Sequence, residues 1–317
     1  MRADLHVHSR YSGARHYRRA GLRDSYAEPG QIYDRARAAG MGLVTITDRD
    51  TLEGCLRLLD LRGDLPDFLV GEEIEAGLPG SSLKIHLNAW SLDEARHGEI
   101  SRLRDDVVDL TRYLRAERIP FCFNHFVGAL PVDLPSAALY WRVLSLFDAL
   151  EVRNGMQGRH YNDLIAAMAA GEAHRRAPVG FIGGSDAHTL RRVGTTWTEA
   201  RAASREEFVD AILRGETVAG GRVRTAGDIL LDPVSLVGAH YRHLARSLAG
   251  GGGPADDGGW LGSLATLPLQ ALGAPLVGTA VYFVRVRAHV RALQQEIAAL
   301  DLRSFRERMR SFPRAQD

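Results

Sequence analysis

Hydrophobic residues in this chain gather into seven short runs of strand length, each relieved by a polar stretch and most followed by a segment with helical spacing. The runs are Arg2 to His8, Leu43 to Asp48, Phe68 to Glu73, Leu83 to Ala89, Ile119 to His125, Ala149 to Arg153 and Val179 to Asp186. Between them the pattern predicts helices at Glu28 to Ala39, Glu94 to Glu117 and Tyr161 to Ala170, the first opened by Pro29 and stopped by Gly40. Strand then helix, repeated, is the pattern of a parallel α/β architecture. Each run carries His, Asp or Glu, and in a β/α barrel the C-terminal strand ends form the one face where active sites are built. The expectation is a seven-stranded β/α barrel over residues 1–240, closed by a helix and turn in Ser204 to Gly221.

Beyond the barrel, Gly250 to Gly259 reads as a flexible linker and residues 260–317 as a C-terminal helical extension. No charged residue occurs from Trp260 to Val284, and Arg285, Arg287 and Arg291 follow. That length could span a bilayer with its basic end inside. Pro268, Pro275 and the glycines around them favour a helical hairpin instead, so no membrane is expected.

Composition narrows the function without naming it. At 317 residues, 45% hydrophobic and 25% charged, the chain lies in the globular range. Forty basic against 39 acidic residues leave a net charge of +1, so no bulk field draws it to nucleic acid or anionic lipid. Cys55 and Cys122 form no metal or redox motif, and no secretory leader opens the sequence, which together suggest a cytoplasmic protein. Neither a G-x-S-x-G elbow nor a Walker loop occurs, which counts against a serine triad and nucleotide-driven phosphoryl transfer.

The chemistry lies in spaced histidines and carboxylates. His6-x-His8 on a strand places two imidazoles on one side, able to chelate one cation. Asp186-x-His188, in GGSDAH, repeats that spacing after glycines that permit a tight turn. Between the pairs come Asp48, Glu73, His86 and His125, each expected at the end of its own strand. This nitrogen and oxygen donor set suits Zn²⁺, Mn²⁺ or Fe²⁺ better than Ca²⁺ or Mg²⁺.

The order H-x-H, T-D, G-x-E, two lone histidines and G-S-D-x-H resembles the PHP (polymerase and histidinol phosphatase) family over roughly residues 1–240. SRYSG, EPGQIYDRARAAGMGLVTITD, EVRNG and GGSDAH are more narrowly similar to PHP proteins found beside or fused to glycosyltransferases. The resemblance implies a distorted (β/α)7 barrel. It implies that His6, His8, Glu73 and Asp186 hold one metal ion, that Glu73 bridges to a second held with His86 and His125, and that His188 belongs to a third. The family usually reads T-D-H-D where this chain has Thr47-Asp48-Arg49-Asp50, and often Asp or His at Gly13. Arginine has no lone pair to give a cation, so two ions are expected and the guanidinium of Arg49 is expected to stand in for the third, clamping a substrate phosphate. His16 is a candidate substitute ligand.

Two bridged ions lower the pKa of a bound water from about 16 toward about 7, which supplies a nucleophile at neutral pH. The expected function is hydrolysis of a phosphate ester: a small phosphomonoester, a nucleotide or a short nucleic-acid end, with a phosphorylated small molecule favoured over nucleic acid. Arg49, Asp48 and His188 are the expected catalytic side chains, the last two as proton relays. The competing readings are a non-catalytic metal-binding scaffold and a metal-dependent amide or lactone hydrolase. Glu151 and Asn154 are read as supports around the histidines, Glu72 and Glu75 as facing solvent or a helix. His97, His160, His174, His240, His243 and His289 are read as surface or packing residues, and Arg18, Arg19 and Arg23 as a basic stretch near the mouth.

Overall fold

The computed structural model describes residues 1–13, 23–81, 83–126, 136–175, 179–249, 284 and 287–296. The seven predicted runs are all strands: β1 (Arg2–Asp4), β2 (Leu43–Ile46), β3 (Phe68–Gly77), β4 (Lys84–Trp90), β5 (Phe121–Phe126), β6 (Ala149–Asn154) and β7 (Gly180–Gly184). Two more, β8 (Thr196–Ala200) and β9 (Thr217–Gly221), complete one sheet in the order β7-β6-β5-β4-β3-β2-β1-β8-β9. β9 comes back alongside β7, so the sheet curls into a nearly closed barrel.

The pairing departs from a purely parallel barrel. β1, β2 and β3 run parallel, as do β5, β6 and β7, but β4 is antiparallel to both β3 and β5. Chain reversal suffices to join such strands, and only Leu78 to Leu83 lie between β3 and β4. β8 and β9 are antiparallel to their neighbours as well, and TVAGG, expected as a turn, is β9 itself. Glycine allows this closure. A Cβ at Gly183 would lie 2.4 Å from the Trp197 carbonyl oxygen, and the bare backbone there exchanges hydrogen bonds of 2.9 Å with Thr198 Oγ1.

Helices wrap the outside: α1 (Pro29–Ala38), α2 (Glu53–Arg62), α3 (Glu94–Leu103), α4 (Val107–Ala116), α5 (Ala137–Leu144), α6 (Arg159–Arg175), α7 (Arg205–Leu213) and α8 (Ala226–Ala249). The single helix expected from Glu94 to Glu117 is two. Asp106 accepts hydrogen bonds from the backbone N–H groups of Val108 and Asp109, capping a new helix. α4 then buries Val107, Leu110, Thr111 and Leu114 against the sheet, the stripe of an amphipathic helix.

Apolar side chains fill the end of the barrel remote from the ligands. Ala3, Leu43, Leu69, Trp90, Cys122, Ala149 and Ile182 meet there with Phe208, Ala211 and Ile212 of α7. α8 is tied by ion pairs to the loop after β7 and to the residues after β9: Arg191, Arg192 and Arg222 pair with Asp228, and Arg191 and Arg224 with Asp232. Residues 287–296 are helical, with Val290 and Leu293 buried in the core. The linker at 250–259 and residues 260–283 and 297–317 of the expected extension lie outside the described residues. Among the described residues no helix is long and apolar enough to cross a membrane.

Candidate metal centre

The ligand strands meet at one end of the barrel because of their directions. His6 and His8 follow β1 directly, Glu73 lies midway along β3, and His125 is near the end of β5. His86 is the exception to the expected placement: it stands third in β4, near its start, and reaches the same face because β4 runs the other way. The register pairs it with Glu75 on one side and His125 on the other. Asp186 and His188 extend from β7, and Asp186 has a φ of 50°, an αL backbone that a non-glycine residue rarely adopts.

Two groups of ligand atoms result: His6, His8 and Asp186, and Glu73, His86 and His125, the atoms of each group within 4.8 Å of one another. In the first, His6 Nε2 and His8 Nε2 face each other at 3.2 Å. Asp186 Oδ1 makes no hydrogen bond and is ringed by Nε2 of His8 at 3.2 Å and of His6 and His188 at 3.5 Å. In the second, Glu73 Oε1 lies 3.0 Å from His86 Nδ1, 3.7 Å from His125 Nε2 and 3.2 Å from His6 Nε2, so this carboxylate joins the two groups.

Surrounding side chains set the tautomers. Glu151 Oε1 holds His6 Nδ1 at 2.9 Å, and Ser12 Oγ lies 3.2 Å from His8 Nδ1. With a proton on each Nδ1, both Nε2 lone pairs point to the same place. Asn154 Nδ2 bridges Glu151 Oε2 and Asp186 Oδ2, and Asn124 Nδ2 donates to Glu73 Oε1. Glu75, at 3.8 Å from His86 Nε2, and Glu72, paired with His97 Nδ1 at 2.8 Å, are supports. Glu72 and His97 thus join β3 to α3, whereas His97 was expected to have no such role.

Electrostatics point the same way. Burial works against ionisation of Glu73, yet His86, Arg49 and His6 hold its pKa well below the usual carboxylate range. Burial works against protonation of His6, yet Asp186, Glu151 and Glu73 hold its pKa well above the usual value. Burial, then the neighbouring His8, lowers His188 to about 4, so it is a neutral imidazole at neutral pH. Burial and then His86 lower His125 to about 4 as well. The neutral imidazoles of His125 and His188, the ionised carboxylates and an unbonded Asp186 oxygen are donors for a divalent transition-metal ion, and the carboxylates that favour a proton on His6 favour a cation in its place.

Arg49 and Asp48 take other positions than those expected. Arg49 Nε lies 2.8 Å from Glu73 Oε2 and Nη1 2.8 Å from Asp24 Oδ2, so two of its nitrogens are committed within the protein. Gly13 has no room for the ligand the family pattern would place there: its N–H meets the Arg49 carbonyl at 3.3 Å, and a Cβ would lie 2.7 Å from that oxygen. Asp48 turns from the cluster and accepts from Ser9 N at 2.6 Å and Ser9 Oγ at 2.5 Å, fixing the loop after the histidines. His16, Arg18 and Arg19 lie outside the described residues, as do the side chains of His174 and His243.

Two carboxylates escaped the sequence reading. Asp4 accepts from Ser185 N at 2.8 Å and Gly194 N at 2.7 Å, tying the GGSDAH turn to β1. Its signal is in the chain, since Asp4, His6 and His8 share the alternation of one strand face. Asp24 belongs to no motif, and only the fold brings it to Arg49.

The PHP-associated family model matches residues 165–217, from α6 through the start of β9. An uncharacterized protein of Methanocaldococcus jannaschii is 35% identical over 75 residues, covering 23% of this chain and 44% of that one. Similar solved structures include an amidohydrolase from Chromobacterium violaceum with bound sulfate and no metal (17% identity, 66% of this chain and 96% of that, TM-score 0.45). Others are a protein from Bifidobacterium adolescentis assigned as a metal-dependent phosphoesterase (15% identity, 59% and 87%, TM-score 0.40) and PsfC from Pseudomonas syringae (15% identity, 74% and 97%, TM-score 0.49). The segment matched by the PHP-associated family model runs through the strand and turn that carry Asp186 and His188, beside the two converging ligand groups.

Proposed function

We propose that this chain is a metal-dependent hydrolase of phosphate esters, working with two divalent ions on a small phosphorylated molecule. The observation that carries the reading is the opposed pair of Nε2 atoms of His6 and His8, 3.2 Å apart, with Nδ1 of each engaged by Glu151 or Ser12. With each Nδ1 so engaged, the two Nε2 atoms face one point, where a metal cation would replace the proton that Asp186, Glu151 and Glu73 favour on His6.

His6, His8 and Asp186 would hold one ion and Glu73, His86 and His125 the other, with His188 as a further neutral nitrogen donor beside Asp186. Zinc, manganese or iron suits these donors. Such ions, when bound, polarise a phosphoryl oxygen and make water a nucleophile at neutral pH. The protein's part is to hold the ligands rigid and to set the charge balance. Glu73 and Asp24 pair with the single guanidinium of Arg49, Asp186 and Glu151 flank His6, and Glu75 is balanced by Lys84 at 3.0 Å. That surplus of negative charge, reduced but not cancelled by the proton His6 holds, repels an anionic ester. Two divalent ions turn it into a slight positive charge, so ion binding and phosphate binding are coupled. With Nε and Nη1 already engaged, Arg49 acts on the substrate through Glu73 rather than as a bidentate clamp. Asp48, bonded through both oxygens to Ser9, holds the loop and is no proton relay.

The test is a panel of phosphomonoesters, phosphodiesters, amides and lactones, each with Mn²⁺ or Zn²⁺, on the full chain and on His6→Ala. Turnover of a phosphate ester that falls roughly 100-fold or more in the variant, the equivalent of ~3 kcal/mol of transition-state stabilisation, supports the reading. Turnover confined to amides or lactones, or equal in both proteins, overturns it.

A further inference from the structure

We propose that Asp24 is a positioning residue that aligns ligands of both metal clusters from one carboxylate, a role that rests on the reading of those clusters as metal sites. Asp24 is buried, and its Oδ2 receives two different donors: Ser12 Oγ at 3.2 Å and Arg49 Nη1 at 2.8 Å. Each donor leads to a different cluster.

Along the first arm, Ser12 gives its hydroxyl proton to Asp24 and accepts from the Arg49 backbone N–H at 3.2 Å and from His8 Nδ1 at 3.2 Å. One donor and two acceptor positions are all that a hydroxyl has, so the group is fully committed. Because Asp24 takes the proton, the Ser12 lone pairs are left for His8, which fixes the proton on His8 Nδ1 and the lone pair on Nε2. Along the second arm, Arg49 Nε reaches Glu73 Oε2 at 2.8 Å and turns Oε1 toward His86 and His6. Asp24 also cancels the guanidinium charge. Without it, a fixed positive charge would stand against Glu73 within reach of both ions, and the long-range part of that repulsion is large in so buried a place.

The two arms give a pattern that loss of general packing would not reproduce. The experiment is titration of the metal-free full chain with Co²⁺ and Mn²⁺, following calorimetric affinity and the visible absorption of cobalt. Asp24→Asn keeps the shape and loses the charge, and its affinity for both ions is expected to fall by roughly 10- to 100-fold, the range for groups that orient ligands. Ser12→Ala is expected to weaken the ion held by His8 and leave the other unchanged. The double variant Asp24→Asn with Arg49→Met removes the unbalanced guanidinium along with its contact to Glu73, and the ion on the Glu73 side is expected to recover the part of the loss due to charge while the His8 side stays weak. Wild-type affinity in Asp24→Asn overturns the proposal. So does a folded double variant in which neither ion recovers. If the unsubstituted chain takes up neither ion, the cluster reading and the hydrolase proposal fail with it, whereas two ions bound alike by wild type and Asp24→Asn sink the Asp24 role alone.

Discussion

Asp4 and Asp48 are carboxylates buried at the base of the site, and burial, against the hydrogen bonds they accept from Ser185 and Ser9, raises both to about 6. An unfolded aspartate titrates near 3.9, so the folded protein binds these protons more tightly. Their contribution to stability is therefore fully present below about pH 4 and lost as pH rises through 6. His125 and His188 act oppositely over the same range: lowered to about 4, they are neutral when folded, and their contribution is lost as pH falls through 4. The opposed effects mask each other in the wild type, so a difference measurement isolates one. In the metal-free protein, Asp48→Asn is expected to remove up to about 3 kcal/mol of the stability lost between pH 4 and 6. Urea midpoints of both proteins at pH 4 and pH 6 check this, and parallel changes in the two would show that Asp48 does not titrate in that window. At this scale the sequence was informative where chemistry sits on one strand face. His6, His8, Glu73, His125 and Asp186 are legible because spacing and residue type alone mark them. Asp24 and Ser12 were not legible, since they reach the site from a loop and their partners lie 25 and 37 residues away along the chain.

Among the elements, β4 carries the lesson. A strand-length run containing a histidine gives its existence but not its direction, because alternation looks the same read either way. Reversal of β4 puts His86 on the active face from the start of the strand, whereas in a parallel strand it would need to stand near the end. Direction was hidden because it depends on the few residues joining β3 to β4. β7 shows a different constraint. Gly184 ends it where a Cβ would lie 2.4 Å from His6 Cβ and 2.9 Å from Glu151 Oε1. Both neighbours are fixed, His6 by its strand and Glu151 by Asn154, so neither can yield. Gly184→Ala is expected to destabilise the protein by about 1–3 kcal/mol, as overpacking of a filled interior does, and to weaken metal binding by displacing His6. Chemical denaturation and ion titration of the variant measure both effects. Unchanged ion affinity would mean that the His6 position is not set by this contact.

Over the whole molecule, the ligands come from β1, β3, β4, β5 and the turn after β7, spread from His6 to His188. The unfolded chain holds no such arrangement, so ions held by these residues would bind the folded state alone and cross-link the barrel from inside. Closure itself was only partly legible. Seven staves could be counted, but β8 and β9 are five residues each and pair through their backbones with β1 and each other, without a hydrophobic run of their own to mark them. The charge balance then gives the molecule's stability a specific dependence. Without ions, four carboxylates crowd one guanidinium and five imidazoles, and folding must hold like charges together. Adding one ion at about 100 times its dissociation constant should stabilise the fold by about 2.7 kcal/mol, a rise of roughly 4 °C in Tm for a chain of this size. Melting curves of chelator-treated protein with increasing Mn²⁺ measure the rise, and Asp186→Ala should abolish the part due to the first cluster. A Tm indifferent to Mn²⁺, Zn²⁺ and Fe²⁺ would mean that the converging histidines hold nothing, and the barrel would then have to be stable with its carboxylates unneutralised.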